Sequence, residues 1–187
     1  MGGSTRFNNK PLADICGKPL VCWVWKHSKE VSCFDEVYVA TDSKEIKNVA
    51  EGFSAKVIMT SSNCETATER LYEVSKKIQA DLYVMVNGDE PLVLADDIVK
   101  CIPESISEDG FYVSNLTTDF PNPVEVVDMT NLKIVTNKDV VCLFISRASI
   151  PFSNSEMKYV YQRKYLIKQI YAQKHTIKSV FKSFKIR

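Results

Sequence analysis

Leu82-Tyr83-Val84-Met85-Val86-Asn87-Gly88-Asp89 is a run of five apolar residues that stops at a turn and a carboxylate. A short, unbroken apolar run bounded by turn residues predicts a central parallel strand covered on both faces. Asn-Gly-Asp then ends it as a turn. Strand and helix patterns alternate on both sides of it. Upstream, strands are expected over 35–40 and 55–59, with helices beginning at Pro19, running from 43 to 52, and running from 66 to 79. Pro19 suits a helix start, and Asp42 or Ser43 is placed to cap the second helix. Leu71, Val74 and Ile78 share one face of the third. Downstream, a helix is expected over 95–101, ending before Pro103, and strands over 110–114, 132–135 and 140–145. Asp119-Phe120-Pro121-Asn122-Pro123 reads as a rigid loop. This alternation predicts an α/β fold, an open and mostly parallel sheet with helices on both faces. Ligands in such sheets sit beyond the carboxyl ends of strands, where Thr41-Asp42 and Asn87-Gly88-Asp89 both fall.

The chain of 187 residues is long enough for one domain with a proper core, and its 45% hydrophobic and 25% charged residues are ordinary for a globular protein. A net charge of +1 gives no global attraction to nucleic acid or membrane, so a phosphate site has to be a local cluster. No apolar run is long enough to span a bilayer. Six cysteines without a Cys-x-x-Cys pair read as buried, reduced thiols of a cytoplasmic protein. His27 and His175 lie away from the motifs and read as surface or packing residues. From 159 onward the chain is basic and interleaved with aromatics, which reads as a helix or two with a solvated lysine face and an aromatic inner face.

The amino-terminal stretch carries the phosphate chemistry. Gly2-Gly3-Ser4-Thr5-Arg6-Phe7-Asn8-Asn9-Lys10 is a small-residue turn with two cations four residues apart. Backbone amides in such a turn approach phosphate oxygens closely, while Arg6 adds a forked donor and Lys10 a point charge. The spacing is that of neither a Walker loop nor a dinucleotide fingerprint. A solvated basic loop remains the alternative on these residues alone.

The string from Ser4 to Leu20 resembles the opening loop of the 3-deoxy-manno-octulosonate (Kdo) cytidylyltransferases. Further blocks resemble that family in the same order: Ala40-Thr41-Asp42, Met59-Thr60, Thr66-Ala67-Thr68-Glu69-Arg70-Leu71, Asn87-Gly88-Asp89-Glu90-Pro91-Leu92, Asn131-Leu132-Lys133-Ile134-Val135, and Phe144-Ile145-Ser146-Arg147-Ala148-Ser149-Ile150-Pro151. Several ordered motifs are far more specific than any one of them. The resemblance covers roughly 2–152. Cys64-Glu65 stands where the family has His-Gln, and Asn87 where it has Gln.

The resemblance implies a Rossmann-like fold of the nucleotide-diphospho-sugar transferase type. It also implies transfer of CMP from CTP to an acidic 3-deoxy 2-keto sugar, with release of pyrophosphate. Other readings are a different acidic sugar such as a nonulosonate, and a non-catalytic nucleotide-binding paralogue or fragment. Arg6, Lys10 and Asp89 would be catalytic, with Asp89 holding Mg2+. Ser4, Thr5, Arg6, Lys10, Thr66, Ala67, Thr68, Arg70 and Asn87 would bind the nucleotide. Asp89 as a simple turn residue is the alternative, and Asp42 either caps the following helix or frames the nucleotide. Arg147 is either a cation for the sugar carboxylate or a structural residue of the rim. Residues 1–152 would form the nucleotide-binding α/β domain and 153–187 part of a truncated dimerisation arm, with a homodimer where that arm is present. No nucleic acid or membrane partner is implied. Relatives carry a strand and Pro-Ala-Arg before the opening loop and an Asp-Thr-Pro-Glu-Asp motif after the arm, so the chain is expected to be short at both ends.

Overall fold

The computed structural model describes residues 10–105 and 112–149, together with the backbones of two strands at 163–165 and 169–173. Ser4, Thr5 and Arg6 therefore lie outside the described residues. The chain forms two compact units: 1–114 with 169–187, and 115–168.

In the first unit, a 3-10 turn at Lys10–Leu12 leads into a small hairpin of β1 (Asp14–Ile15) and β2 (Lys18–Pro19). Its two turn residues, Cys16 (φ 51) and Gly17 (φ 79), both have positive φ. That is the requirement of the tight hairpin turn whose twist matches its strands. The hairpin feeds α1 (Leu20–Lys29), which buries Leu20, Val21, Cys22 and Val24. Trp23 ties the two together, its indole N–H donating to the Ile15 carbonyl at 2.8 Å. The Lys18 and Lys26 ammoniums lie over the same ring, 5.2 and 5.6 Å from its centroid. Lys18, in Gly17-Lys18-Pro19, is thus a partner of Trp23.

A parallel β-α-β unit follows. β3 (Tyr38–Thr41) and β4 (Lys56–Met59) pair in register from Tyr38 with Lys56 to Thr41 with Met59, and α2 (Lys44–Gly52) makes the crossover. Ser43 is the cap of α2, its hydroxyl accepting from the Ile46 amide at 3.3 Å. Asp42 is not the cap, and its carboxylate is engaged elsewhere. Helix α3 (Ala67–Lys77) ends at Lys77, and Ile78 has already turned extended. The buried Tyr83 hydroxyl fixes the turn that follows, accepting from the Ala80 amide at 3.1 Å and donating to the Ile78 carbonyl at 2.7 Å. Leu71 of α3 packs on Tyr83, with Tyr72, Ala80 and Met85 around them.

The apolar run after α3 forms β5 (Leu82–Val86). After it come α4 (Ala95–Val99), whose Ile98 is fully buried, and β6 (Val113–Ser114). The second unit holds β7 (Thr117–Asp119), α5 (Pro123–Val127), β8 (Leu132–Thr136), β9 (Cys142–Ser146) and β10 (Arg163–Tyr165). β11 (Gln169–Gln173) returns to the first unit. Two expectations are corrected here. β5 pairs antiparallel with β11, which lies between β5 and β6, and the second unit's sheet, in order β7-β10-β8-β9, is antiparallel throughout. Among the described residues parallel pairing is confined to β3 and β4, so the sheets are mixed, not mostly parallel. An apolar run reports coverage on both faces and is silent on the direction of its neighbour. The basic aromatic tail, read as helix, supplies β10 and β11. Gln169-Ile170-Tyr171-Ala172-Gln173 is a short uncharged run that carries strand-favouring Ile and Tyr, a signal that the surrounding lysines obscured.

Candidate functional site

The 3-10 turn at Lys10 and the turn after β5 meet in the first unit. Lys10 Nζ donates to Asp89 Oδ2 at 2.7 Å, across 79 residues of sequence. The Asp89 hydrogen bond, and then its charge, hold the Lys10 ammonium above its usual value. The side chains are 49% and 40% exposed, so the pair is open to solvent and able to exchange partners. The cationic turn and the mid-chain carboxylate therefore converge, as far as the described residues reach. Asn87 directly follows β5 on the same turn.

The segment from Met59 to Thr66, between β4 and α3, is organised by one face of α3. Thr66 and Glu69 form a capping box: the Thr66 hydroxyl accepts from the Glu69 amide at 3.2 Å, and Glu69 Oε2 accepts from the Thr66 amide at 3.3 Å. The same Glu69 oxygen accepts from the Glu65 amide at 2.6 Å. One helical turn on, Glu73 Oε2 accepts from the Ser61 amide at 2.8 Å and from the Cys64 thiol at 3.5 Å. Glu73 Oε1 accepts from Lys77 Nζ at 2.8 Å, and Lys77 donates onward to the Met59 carbonyl at 2.6 Å. Residues three and four apart share a helix face, which is why 66, 69, 73 and 77 can reach one loop.

Arg70 completes the arrangement. It donates to the Thr60 hydroxyl, and its second terminal nitrogen lies 3.3 Å from Asp42 Oδ1. Thr60 and Thr41 are buried at the ends of β4 and β3, joined by the Thr60 amide on the Thr41 carbonyl at 2.9 Å. Arg70 thus ties both strand ends to α3, and this is where the Asp42 carboxylate goes. Sequence reading named Thr66, Ala67, Thr68 and Arg70 but missed Glu69, Glu73 and Lys77 as anchors. The Thr-x-x-Glu capping signature was legible for Glu69, and Glu73 and Lys77 sit at helical spacing from it.

Hydrogen bonds from Lys77 and the Ser61 amide hold the Glu73 carboxyl down at about 2, from an ordinary 4.5. A depressed folded-state value means that the anchor contributes fully above pH 4.5 and is lost as pH falls toward 2. In an acid titration followed by NMR, the Ser61 amide resonance is expected to hold through the ordinary carboxylate range and to move only near that lower limit. Burial, and then Glu73 itself, push the Cys64 thiol above its usual value.

Arg147 belongs to the second unit. Its Nη1 donates to the carbonyls of Met129 and Thr130, each at 3.1 Å. Lys133 does the same for the carbonyls on either side. It is fully buried, and its ammonium donates to the carbonyls of Asp128 (2.5 Å), Asn131 (3.0 Å) and Arg147 (2.7 Å). Four successive carbonyls, 128–131, thereby face two cations. Burial pushes the Lys133 ammonium below its usual value. No local signal marked Lys133, because Leu132-Lys133-Ile134 alternates as an ordinary strand would. Among the described residues no group of three or more His, Cys, Asp or Glu side chains is placed to hold a metal ion, and no helix is long and apolar enough to cross a membrane.

Comparison with known proteins gives this geometry a context. The chain is 40% identical over 152 residues to the 3-deoxy-manno-octulosonate cytidylyltransferase of Aliivibrio fischeri, covering 80% of this chain and 60% of that protein. The protein of the same name from Francisella tularensis subsp. novicida is 38% identical over 152 residues, with the same coverage. The chain thus spans 60% of the length of these curated relatives. Its structure is similar to that of a CMP:2-keto-3-deoxy-manno-octonic acid synthetase complexed with CTP, with a TM-score of 0.87 and 29% identity, over 96% of this chain and 73% of that one. The α/β nucleotide-diphospho-sugar transferase fold expected from the sequence is the one found. A 4-diphosphocytidyl-2C-methyl-D-erythritol synthase from Anaerococcus prevotii shares that fold at 14% identity and a TM-score of 0.62, over 93% of this chain and 68% of its own. The family described as Cytidylyltransferase matches residues 2–187, and the chain belongs to it.

Proposed function

We propose that this chain transfers CMP from CTP to 3-deoxy-manno-octulosonate, releasing pyrophosphate. The observation that carries the reading is the meeting of Lys10 and Asp89 at 2.7 Å across 79 residues. A phosphate-binding cation and a strand-end carboxylate are the two charges that a nucleotidyl transfer needs side by side. The sugar hydroxyl attacks the α-phosphorus and gives up its proton to solvent, the bond from that phosphorus to the bridging oxygen breaks, and pyrophosphate leaves with the electron pair. Lys10, joined by Arg6, neutralises the leaving group. The backbone of Ser4 and Thr5 cradles phosphate oxygens, and Asn87 lies beside the nucleotide. The segment ending in Thr66, Ala67, Thr68 and Arg70 reads the base.

Asp89 suits Mg2+. That ion takes one or two carboxylates together with phosphate oxygens and water, and a single half-exposed carboxylate at a strand end meets the need. When bound, the ion supplies Lewis-acid stabilisation of the charge on the phosphates. Lys10 then has to exchange Asp89 for a phosphate oxygen, an exchange that the solvent exposure of the pair permits. Arg147 uses one terminal nitrogen on the carbonyls of Met129 and Thr130, and the sugar carboxylate is a proposed further partner of its guanidinium.

A cytoplasmic setting is supported by six cysteines that are all free thiols. A homodimer is supported by β9, which ends its sheet among the described residues and whose Leu143 and Phe144 are 63% and 58% exposed. The test is pyrophosphate release by the purified chain, fractionated by size, from CTP and Mg2+ with Kdo or a nonulosonate as acceptor. The expected result is release that requires both CTP and Kdo, in fractions near twice the 21.2 kDa chain mass. Release with the nonulosonate alone would reassign the sugar. CTP binding without release from either acceptor would favour a nucleotide-binding chain without transferase activity.

A further inference from the structure

Three acidic or basic side chains of α3 hold the backbone of one loop at four points. Glu69 takes the amides of Glu65 and Thr66, Glu73 takes that of Ser61, and Lys77 takes the carbonyl of Met59. Glu73 is the centre of the set. Its two oxygens bind the loop on one side and Lys77 on the other, so it links the amide anchor to the carbonyl anchor. It also receives the Cys64 thiol, which fixes the middle of the loop. The Glu73 side chain is only 23% exposed. Its partners Ser61, Cys64 and Lys77 all belong to the loop or the helix, and none is a strand end or a phosphate-binding residue.

We propose that Glu73 is a positioning residue that sets the preference for cytosine over uracil, by holding the loop from Ser61 to Thr66 in one register. This rests on the reading of Thr66, Ala67, Thr68 and Arg70 as the base-recognition segment, which the loop leads into and places. The physics is that of discrimination by fixed polar groups. Cytosine offers N3 as an acceptor and a 4-amino donor, whereas uracil offers N3–H as a donor and a 4-oxo acceptor. A rigid set of backbone groups that pairs with one pattern leaves unpaired polar atoms against the other. A loop free to slide or to turn a peptide re-pairs with either base, and the preference goes. Geometry held to well under an ångström is what such selection demands. Two carboxylates and an ammonium, each making charge-assisted hydrogen bonds to main chain, provide that stiffness.

The experiment measures dissociation constants for CTP and UTP by calorimetry in Mg2+, on the full chain and on Glu73→Ala and Glu73→Gln. Amide hydrogen exchange at 61 and 64–66, and the melting temperature, are read on the same samples. In Glu73→Ala the CTP-over-UTP preference is expected to fall about tenfold, the scale on which enzymes lose selectivity when one fixed contact goes. Exchange at 61 and 64–66 should rise with it. Glu73→Gln keeps an acceptor oxygen for the Ser61 amide and is expected to retain most of the preference. A lower melting temperature with an unchanged CTP-to-UTP ratio would show a merely structural role and overturn the proposal. So would unchanged exchange at 61 and 64–66. A wild-type chain that binds CTP and UTP alike would overturn the cytidylyltransferase reading itself, and the proposal with it. A preserved preference in Glu73→Ala overturns the proposal alone.

Discussion

Asp89→Asn is expected to lower pyrophosphate release from CTP and Kdo by about 10²- to 10³-fold, the loss seen when one preorganised charge is removed from a charge-developing step. The substitution keeps the size and shape of the side chain and removes its charge. Structure should survive it, because the Lys10–Asp89 ion pair that it breaks has both partners more than a third exposed. Pairs of that kind contribute about 0.2–1 kcal/mol. Steady-state rates together with a melting curve separate the two quantities. Activity within a few-fold of wild type would remove Asp89 from the reaction. So would a loss of activity matched by a loss of the folded state. Lys10→Met is the companion measurement. It leaves Asp89 without its 2.7 Å partner and removes the proposed phosphate ligand, so its effect should fall on KM for CTP as well as on kcat.

Lys133→Ala has the largest expected effect on stability. All three protons of the Lys133 ammonium are committed to carbonyls, at 2.5, 2.7 and 3.0 Å, and the side chain has no exposed surface. Hydrogen bonds to a charged donor contribute about 1.5–3 kcal/mol each, and they are not additive within one cluster. A loss of about 3–5 kcal/mol follows, or roughly 10 °C in melting temperature for a chain of this size. Lys133→Met distinguishes the causes, since it fills much the same volume without the ammonium. If packing alone mattered, the Met variant would match wild type in urea unfolding. The hydrogen-bond account requires it to fall most of the way to the Ala variant, because the carbonyls of Asp128, Asn131 and Arg147 are then left short of a donor. Sugar-dependent steps should suffer too where Arg147 takes part, since Lys133 holds its main chain.

The local features were legible because local patterning writes them. The apolar run 82–86 announced β5, the Thr66-x-x-Glu69 signature announced the start of α3, and alternation between 38 and 59 announced the β3-α2-β4 unit. The convergence of Lys10 on Asp89 followed from putting both at strand-end loops on one rim. What stayed hidden was the identity of distant partners. Asp42 at the head of α2 looked like a cap, yet Ser43 does that work and Asp42 faces Arg70, 28 positions on. Nothing in the sequence marked Lys133 as buried, because burial of its ammonium depends on a turn at 128–131 and on Arg147 across the β8–β9 hairpin. β11 was lost in a lysine-rich tail, where charge suggested a helix face while a short uncharged run with Ile170 and Tyr171 spoke for a strand. Each miss concerns an interaction whose second half lies far along the chain, and periodicity carries no address.

The placement of β11 between β5 and β6 bears on how the protein comes off the ribosome. Synthesis delivers β5 with its main-chain donors and acceptors unsatisfied on that side, and the strand that satisfies them is encoded only at 169–173. At about 5–20 residues per second, the wait is on the order of 5–15 s. Throughout that interval a nascent chain carries an apolar strand with an open edge, a natural target for a chaperone. A nascent chain that has not yet reached residue 169 lacks the strand that lies between β5 and β6.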